Sequence, residues 1–121
     1  MKVSEYDIES KVVKYARDKG VLVVKQTHVG ARSHPDRAFY FEGGRLLQIE
    51  FKAPGARPTV LQAVTIKKLI GLGFAVAIVD DVRHGKDLVD SFFHYLSTEL
   101  SDDDHFETLK ICDKVLARKA R

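Results

Sequence analysis

The chain has 121 residues, 45% hydrophobic and 31% charged, enough apolar mass for one packed domain and too little length for two. Its single cysteine, Cys112, excludes an internal disulfide framework and a cysteine-based zinc site, and reads as a small residue on a helix. The net charge of +3 is unevenly spread: residues 1–80 carry 13 Lys/Arg against 8 Asp/Glu, and residues 81–121 carry 7 against 9, a balance that suits a polyanionic partner for the first two thirds.

The N-terminus MKVSEYDIES has acids where a secretory signal would have an apolar core, so a cytoplasmic protein is expected. Ser4-Glu5-Tyr6-Asp7 has the form of a capping box, and Ile8, Val12, Tyr15 and Ala16 recur at helical spacing until Gly20, which predicts a helix over 5–19. Glu9 lies at the edge of the apolar stripe, either turned toward a site or solvated in the first turn beside the helix dipole. Residues 21–27 are rich in β-branched side chains and read as a strand, followed by the loop HVGARSHP over 28–35.

Residues 37–42 alternate, Gly43-Gly44 is a two-residue hairpin signal, and 46–52 form the return strand. With the turn at Gly43-Gly44, residues whose numbers sum to about 87 face each other, so Asp36 falls opposite roughly residue 51. Glu50 and Lys52 flank that point on one face of their strand. The spacing therefore predicts that Asp36, Glu50 and Lys52 are near neighbours.

APGARP over 53–58 is a turn-rich loop. Thr59-Val60-Leu61-Gln62 is a second capping box, and Leu61, Thr65, Leu69 and Leu72 repeat at helical spacing up to Gly71 and Gly73. The apolar run 74–79 reads as a buried strand, far too short to cross a membrane, and parallel to the Glu50 strand because a helix joins the two. Two more helices are expected over 85–99 and 103–119. The first presents Leu88, Phe92, Tyr95, Leu96 and Leu100, and the second Phe106, Leu109, Val115 and Leu116. The order predicts a layered α/β fold, a small mixed β-sheet with flanking helices, in one domain with its core at about 4–80 and a helical extension over 81–121.

Asp36 and Glu50 supply hard anionic oxygens on adjacent strands, the donor type preferred by Mg²⁺ and Mn²⁺. Lys52 beside them can face an attacking water or developing negative charge, or serve simply as their ion-pair partner. Scattered basic side chains, Lys25, His28, Arg32, Arg37, Arg57, Lys67 and Lys68, together with His34 in the loop, are candidates for phosphate contacts, which position a nucleic acid without reading its sequence. No zinc finger or recognition-helix signature occurs.

The arrangement Glu9 … Pro35-Asp36 … Glu50-Phe51-Lys52 … Gln62 resembles the PD-(D/E)XK nuclease superfamily, and the PGARP loop and the helix-start glutamine resemble its VRR-NUC (virus-type replication-repair nuclease) branch. The resemblance covers about residues 4–80 and implies a restriction-endonuclease-like core, α-β-β-β-α-β. It implies Asp36 and Glu50 as metal ligands with the Phe51 carbonyl as a third, Lys52 on the attacking water, Glu9 as the first-helix acid with Glu5 as its competitor, and Gln62 near the site. Gln62 is equally explained as a capping side chain.

The implied activity is a Mg²⁺-dependent endonuclease on branched DNA such as Holliday junctions, acting as a homodimer in a bacterial or phage-infected cell. The alternatives are a flap or nicking nuclease of phage replication and repair, and a catalytically silent DNA-binding module. Phe92, Phe93, Tyr95 and Leu96 are the candidate dimer surface, unless they pack on the sheet. One departure stands out: where the family has Gly-x-Pro-Asp, this chain has Ser33-His34-Pro35-Asp36.

Overall fold

A computed structural model describes residues 2–26 and 33–119. The first helix, α1 (Glu5–Asp18), starts where the capping box places it: the Ser4 hydroxyl accepts from Asp7 N–H and the Asp7 carboxylate accepts from Ser4 N–H, each at 3.0 Å. These bonds satisfy two of the helix's orphan donors. Strands β1 (Leu22–Lys25), β2 (Arg37–Phe41) and β3 (Arg45–Phe51) form an antiparallel meander. Helix α2 (Val60–Gly71) crosses over to β4 (Ala75–Val79), which pairs with β3 in parallel. The sheet order is β1-β2-β3-β4. Helices α3 (Val82–His94) and α4 (Asp102–Lys119) complete the chain.

Three layers result. On one face α1 and α3 bury Ile8, Val12, Val13, Ala16, Leu88, Val89 and Phe92 against Val23, Phe39, Phe41, Leu47, Ile49, Phe51, Ala75, Ala77 and Val79. On the other face α2 and α4 bury Ala63, Ile66, Ile70 and Cys112 against Val76 and Ile78. That second cover is partial: Leu22 and Val24 of β1 and Tyr40 of β2 stay exposed. Cys112 is buried on its helix, as expected. No helix among the described residues is long and apolar enough to cross a membrane.

The hairpin differs from the expected register by one. The observed ladder pairs Arg37 with Ile49, Phe39 with Leu47 and Phe41 with Arg45. Glu42, Gly43 and Gly44 therefore form a three-residue loop, with both glycines at positive φ, 79° and 70°, a conformation glycine adopts without steric penalty. An odd sum would set Phe39 against Gln48 and Arg37 against Glu50, mixing apolar and polar faces. The even sum keeps the phenylalanines with Leu47 and Ile49, and burial of one face selects it.

Helix α2 buries Ala63, Ile66 and Ile70 and leaves Leu61 and Leu72 exposed, so its inward face is turned from the expected one. Ala63, Ile66 and Ile70 lie beside Gln62 at helical spacing, and Gln62 itself turns inward to β3. Helix α3 starts at Val82, capped by Asp81, three residues earlier than expected. Its Leu88 and Phe92 are core residues, 3% and 1% exposed, and offer nothing to a partner. In α4, Phe106 is exposed while Thr108 and Cys112 are buried.

Candidate active site

Asp36 immediately precedes β2, and strand alternation places it on the same sheet face as Ala38 and Tyr40. Continuing the ladder sets it opposite Glu50. Its Oδ2 accepts from the Phe51 backbone N–H at 2.9 Å, so the carboxylate is bonded to the strand that carries Glu50. Glu50 is 1% exposed. Its Oε2 accepts from Gln62 Nε2 at 2.9 Å and lies 3.2 Å from Lys52 Nζ. Its Oε1 is buried without a partner in the chain. Lys52 follows the end of β3, its backbone N–H donating to Val79 O at 2.9 Å, which fixes the lysine backbone against β4.

Gln62 performs both roles between which the sequence left the choice open. Its Oε1 accepts from Thr59 N–H at 2.9 Å, closing the capping box, while its Nε2 donates to Glu50. One amide side chain therefore caps the helix and restrains the carboxylate, because its acceptor and donor ends point in opposite directions.

The electrostatics follow from burial. Desolvation pushes the Glu50 carboxyl up to about 7, the Asp36 charge adds to the rise, and Lys52 opposes it. Asp36 is also raised, first by burial, against which the Phe51 N–H acts, and then by Glu9 and Glu5. Two desolvated carboxylates face one ammonium, so the cluster is short of positive charge when both are ionised.

The two first-helix acids are differently placed. Glu9 is paired with Arg37, Oε2 to Nε at 2.6 Å, both side chains largely buried. Arg37 points to the α1 face of the sheet, the same side as its ladder partner Ile49. Glu9 is therefore held by a side chain on the face of the sheet opposite Glu50, and Arg37 is occupied by it. Glu5 is exposed, and its charge bears on both Asp36 and Glu50.

No protein-family model matches the chain. Among curated proteins it is 33% identical over 78 residues to "Putative nuclease p44" of Acyrthosiphon pisum secondary endosymbiont phage 1, a match covering 64% of this chain and 84% of that protein. Among solved structures it superposes on a "VRR_NUC domain" with TM-score 0.60 at 23% identity, covering 71% of this chain and 98% of that one. The chain belongs to the VRR-NUC branch of the PD-(D/E)XK superfamily. The α-β-β-β-α-β core with C-terminal helices is the fold expected of that branch.

In this VRR-NUC chain the serine that replaces the family's glycine has a partner: Ser33 Oγ accepts from Thr65 Oγ1 of α2 at 2.7 Å, so the Pro35-Asp36 turn is tied to the helix that carries Gln62. His34 is half-buried in that turn. The remaining basic candidates are dispersed. Lys25 is exposed at the end of β1, and Arg57 is exposed in the loop after Lys52. Lys67 is paired with Asp113 of α4 at 2.7 Å, linking two helices, and Lys68 is exposed beside it. His28 and Arg32 lie outside the described residues.

No group of three or more His, Cys, Asp or Glu side chains suited to sharing an ion occurs among the described residues. An ion at Asp36 and Glu50 would thus have two carboxylate donors and complete its shell with backbone oxygen and water, a set that fits Mg²⁺ or Mn²⁺ and not zinc. The partnerless Oε1 of Glu50 fits such a donor. Sequence reading missed two residues at this place, Gln26 and Gln48: the Gln26 amide donates both to Gln48 Oε1 and to Pro35 O. A glutamine inside the apolar strand RLLQIEF was the available signal.

Proposed function

We propose that this chain is a Mg²⁺-dependent endonuclease, with Mn²⁺ able to substitute, that hydrolyses phosphodiester bonds of branched DNA. The observation that carries the reading is the convergence of Asp36, Glu50, Lys52 and Gln62, with one buried Glu50 oxygen left without a partner. A carboxylate this desolvated stays neutral or recruits a cation, and Lys52 alone does not balance two acids. When bound, a divalent ion supplies polarisation of the phosphoryl oxygen and an acidified water. The chain's own residues do the rest: Gln62 and Lys52 hold Oε2 of Glu50 so that Oε1 is the oxygen presented, and the Phe51 N–H holds Asp36. Lys52, 13% exposed by side chain, is placed to contact the attacking water or offset negative charge growing on the phosphate.

The nuclease relative and the VRR-NUC fold support hydrolysis of nucleic acid. Choice of branched DNA rests on the absence of a base-reading motif and on the family resemblance. Paired cuts in a four-way junction need two sites related by symmetry, so a homodimer belongs to this reading. Phe93, Tyr95 and Leu96, exposed at the end of α3, are the surface offered for it.

The test is incubation of the protein with four-way, flap and linear DNA, with and without Mg²⁺, beside Asp36→Ala and Glu50→Ala. Metal-dependent symmetric nicks in the junction, lost in both variants, are expected, with a dimeric mass by light scattering. Preference for a single-strand branch would move the reading to a flap nuclease. Binding of branched DNA with no cutting under any metal would leave a silent module. Lys52→Ala is expected to lower the rate by about 10²–10³-fold.

A further inference from the structure

A carboxylate serves as a ligand only if it is aimed. The direction of a Cα–Cβ bond is set by the peptide planes on either side of the Cα, and two softer side-chain torsions then place the oxygens. At Asp36 both planes are fixed by one residue. The backbone N–H of Gln26, at the end of β1, donates to Asp36 O at 2.9 Å. The Gln26 side chain donates through Nε2 to Pro35 O at 3.0 Å. The carbonyl before Asp36 Cα and the carbonyl after it are therefore both held by Gln26, while Pro35, with its ring-locked φ, restricts the approach. The carboxylate is fixed last, by the Phe51 N–H on Oδ2.

The second amide hydrogen of Gln26 goes to Gln48 Oε1 at 3.1 Å, which exhausts the donor capacity of that side chain. Gln48 is 4% exposed and lies two residues before Glu50, on the same face of β3. A buried amide in this strand is costly unless bonded, and an apolar residue would pack there at no such cost. The bond ties the Pro35-Asp36 turn to the strand that carries the other carboxylate, across the intervening β2.

Resting on the reading that Asp36 and Glu50 hold a divalent ion, we infer that Gln26, braced by Gln48, is the positioning residue that aims the Asp36 carboxylate at Glu50. It touches neither the ion nor the phosphate. It acts by fixing the backbone on both sides of the ligand.

The test uses the full chain with Gln26→Met, which keeps length and removes both amide donors, and Gln48→Met, which removes only the brace. Three quantities are read: Mn²⁺ affinity without DNA, by the paramagnetic resonance of free Mn²⁺; the Mg²⁺ concentration for half-maximal cleavage; and thermal melting in EDTA. Gln26→Met is expected to weaken Mn²⁺ binding and raise the Mg²⁺ requirement by about 10–100-fold, the usual cost of losing a partner behind a ligand. Gln48→Met is expected to shift both in the same direction by less. A role confined to stability would lower the melting temperature and leave the Mn²⁺ affinity of the folded protein unchanged, and that result overturns the inference.

Should Gln26→Met fail to fold, unchanged Mn²⁺ affinity in folded Gln48→Met overturns it equally. Asp36→Ala separates the two levels. If Asp36→Ala loses Mn²⁺ binding and Gln26→Met keeps it, only the positioning role falls. If Asp36→Ala binds Mn²⁺ like the parent, or the parent binds none, the metal reading falls and the inference with it.

Discussion

The two faces of the sheet are built to different rules. The α1/α3 face is covered along all four strands by apolar side chains, with Phe39, Leu47, Ile49, Phe51 and Val79 showing no exposure. The α2/α4 face is covered over β3 and β4, leaves Leu22, Val24 and Tyr40 in solvent, and carries the buried polar side chains Gln48 and Glu50. The first face follows the hydrophobic rule except at the strand ends, where Arg37 is paired with Glu9. The second departs from it at the residues that could do chemistry, which is where such departures are expected. Strand β3 serves both, because alternate residues of RLLQIEF point to opposite sides: Leu47, Ile49 and Phe51 hold the fold while Gln48 and Glu50 address the site.

That division can be broken most directly on the apolar face. Phe39→Ala is expected to cost about 3–5 kcal/mol, measured by denaturant unfolding, since it removes a fully buried ring from a filled layer. A cost below ~1 kcal/mol would mean that the face is not the stabilising one.

The polar face should respond in the opposite sense. The folded state holds the Glu50 carboxyl at about 7, above its ordinary 4.5, so folding favours the protonated form. Its stabilising contribution is complete below pH 4.5 and is lost as pH rises to about 7, amounting to ~3 kcal/mol over that window for a side chain this buried. In EDTA, Glu50→Gln is therefore expected to melt higher than the parent at pH 8, to flatten the pH dependence between 4.5 and 7, and to abolish cleavage. A variant that melts lower at pH 8 would show that Glu50 stabilises rather than strains the fold.

Gly85 sharpens the contrast at the contact between α3 and α1. A Cβ there would lie 2.5 Å from Val12 Cγ2 and 3.1 Å from Val12 Cγ1, so Gly85→Ala is expected to cost about 1–3 kcal/mol despite its better helix propensity. A stabilised Gly85→Ala by thermal melting would mean that the α1/α3 layer yields more easily than its packing implies. The smallest effect is expected on the uncovered face of β1: Leu22→Thr, on an exposed position, should change stability by no more than ~0.5 kcal/mol. A larger loss by denaturant unfolding would mean that this half of the sheet is covered in solution.

What the sequence by itself determined was local or patterned over short range. Ser4 with Asp7, and Thr59 with Gln62, start their helices where the capping boxes place them, because both partners of each bond lie three positions apart. The pairing of β2 with β3, the parallel direction of β4 relative to β3, and the proximity of Asp36 to Glu50 and Lys52 follow from the hairpin and crossover alone, whereas the place of β1 beside β2 does not. The exact register is also legible in the pattern, since only the even pairing keeps Phe39 away from Gln48.

Tertiary structure alone decided the rest. It turned α2 to bury Ala63 in place of Leu61 and put Leu88 and Phe92 in the core. Across 28 positions of sequence it paired Glu9 with Arg37, and across 22 it bonded Gln26 to Gln48. A side chain's partner at such separation depends on which layers meet and at what rotation, and no local rule encodes either. Gln62 shows both halves in one residue: its acceptor end obeys the helix cap, legible from Thr59, and its donor end reaches Glu50 only because α2 lies across β3.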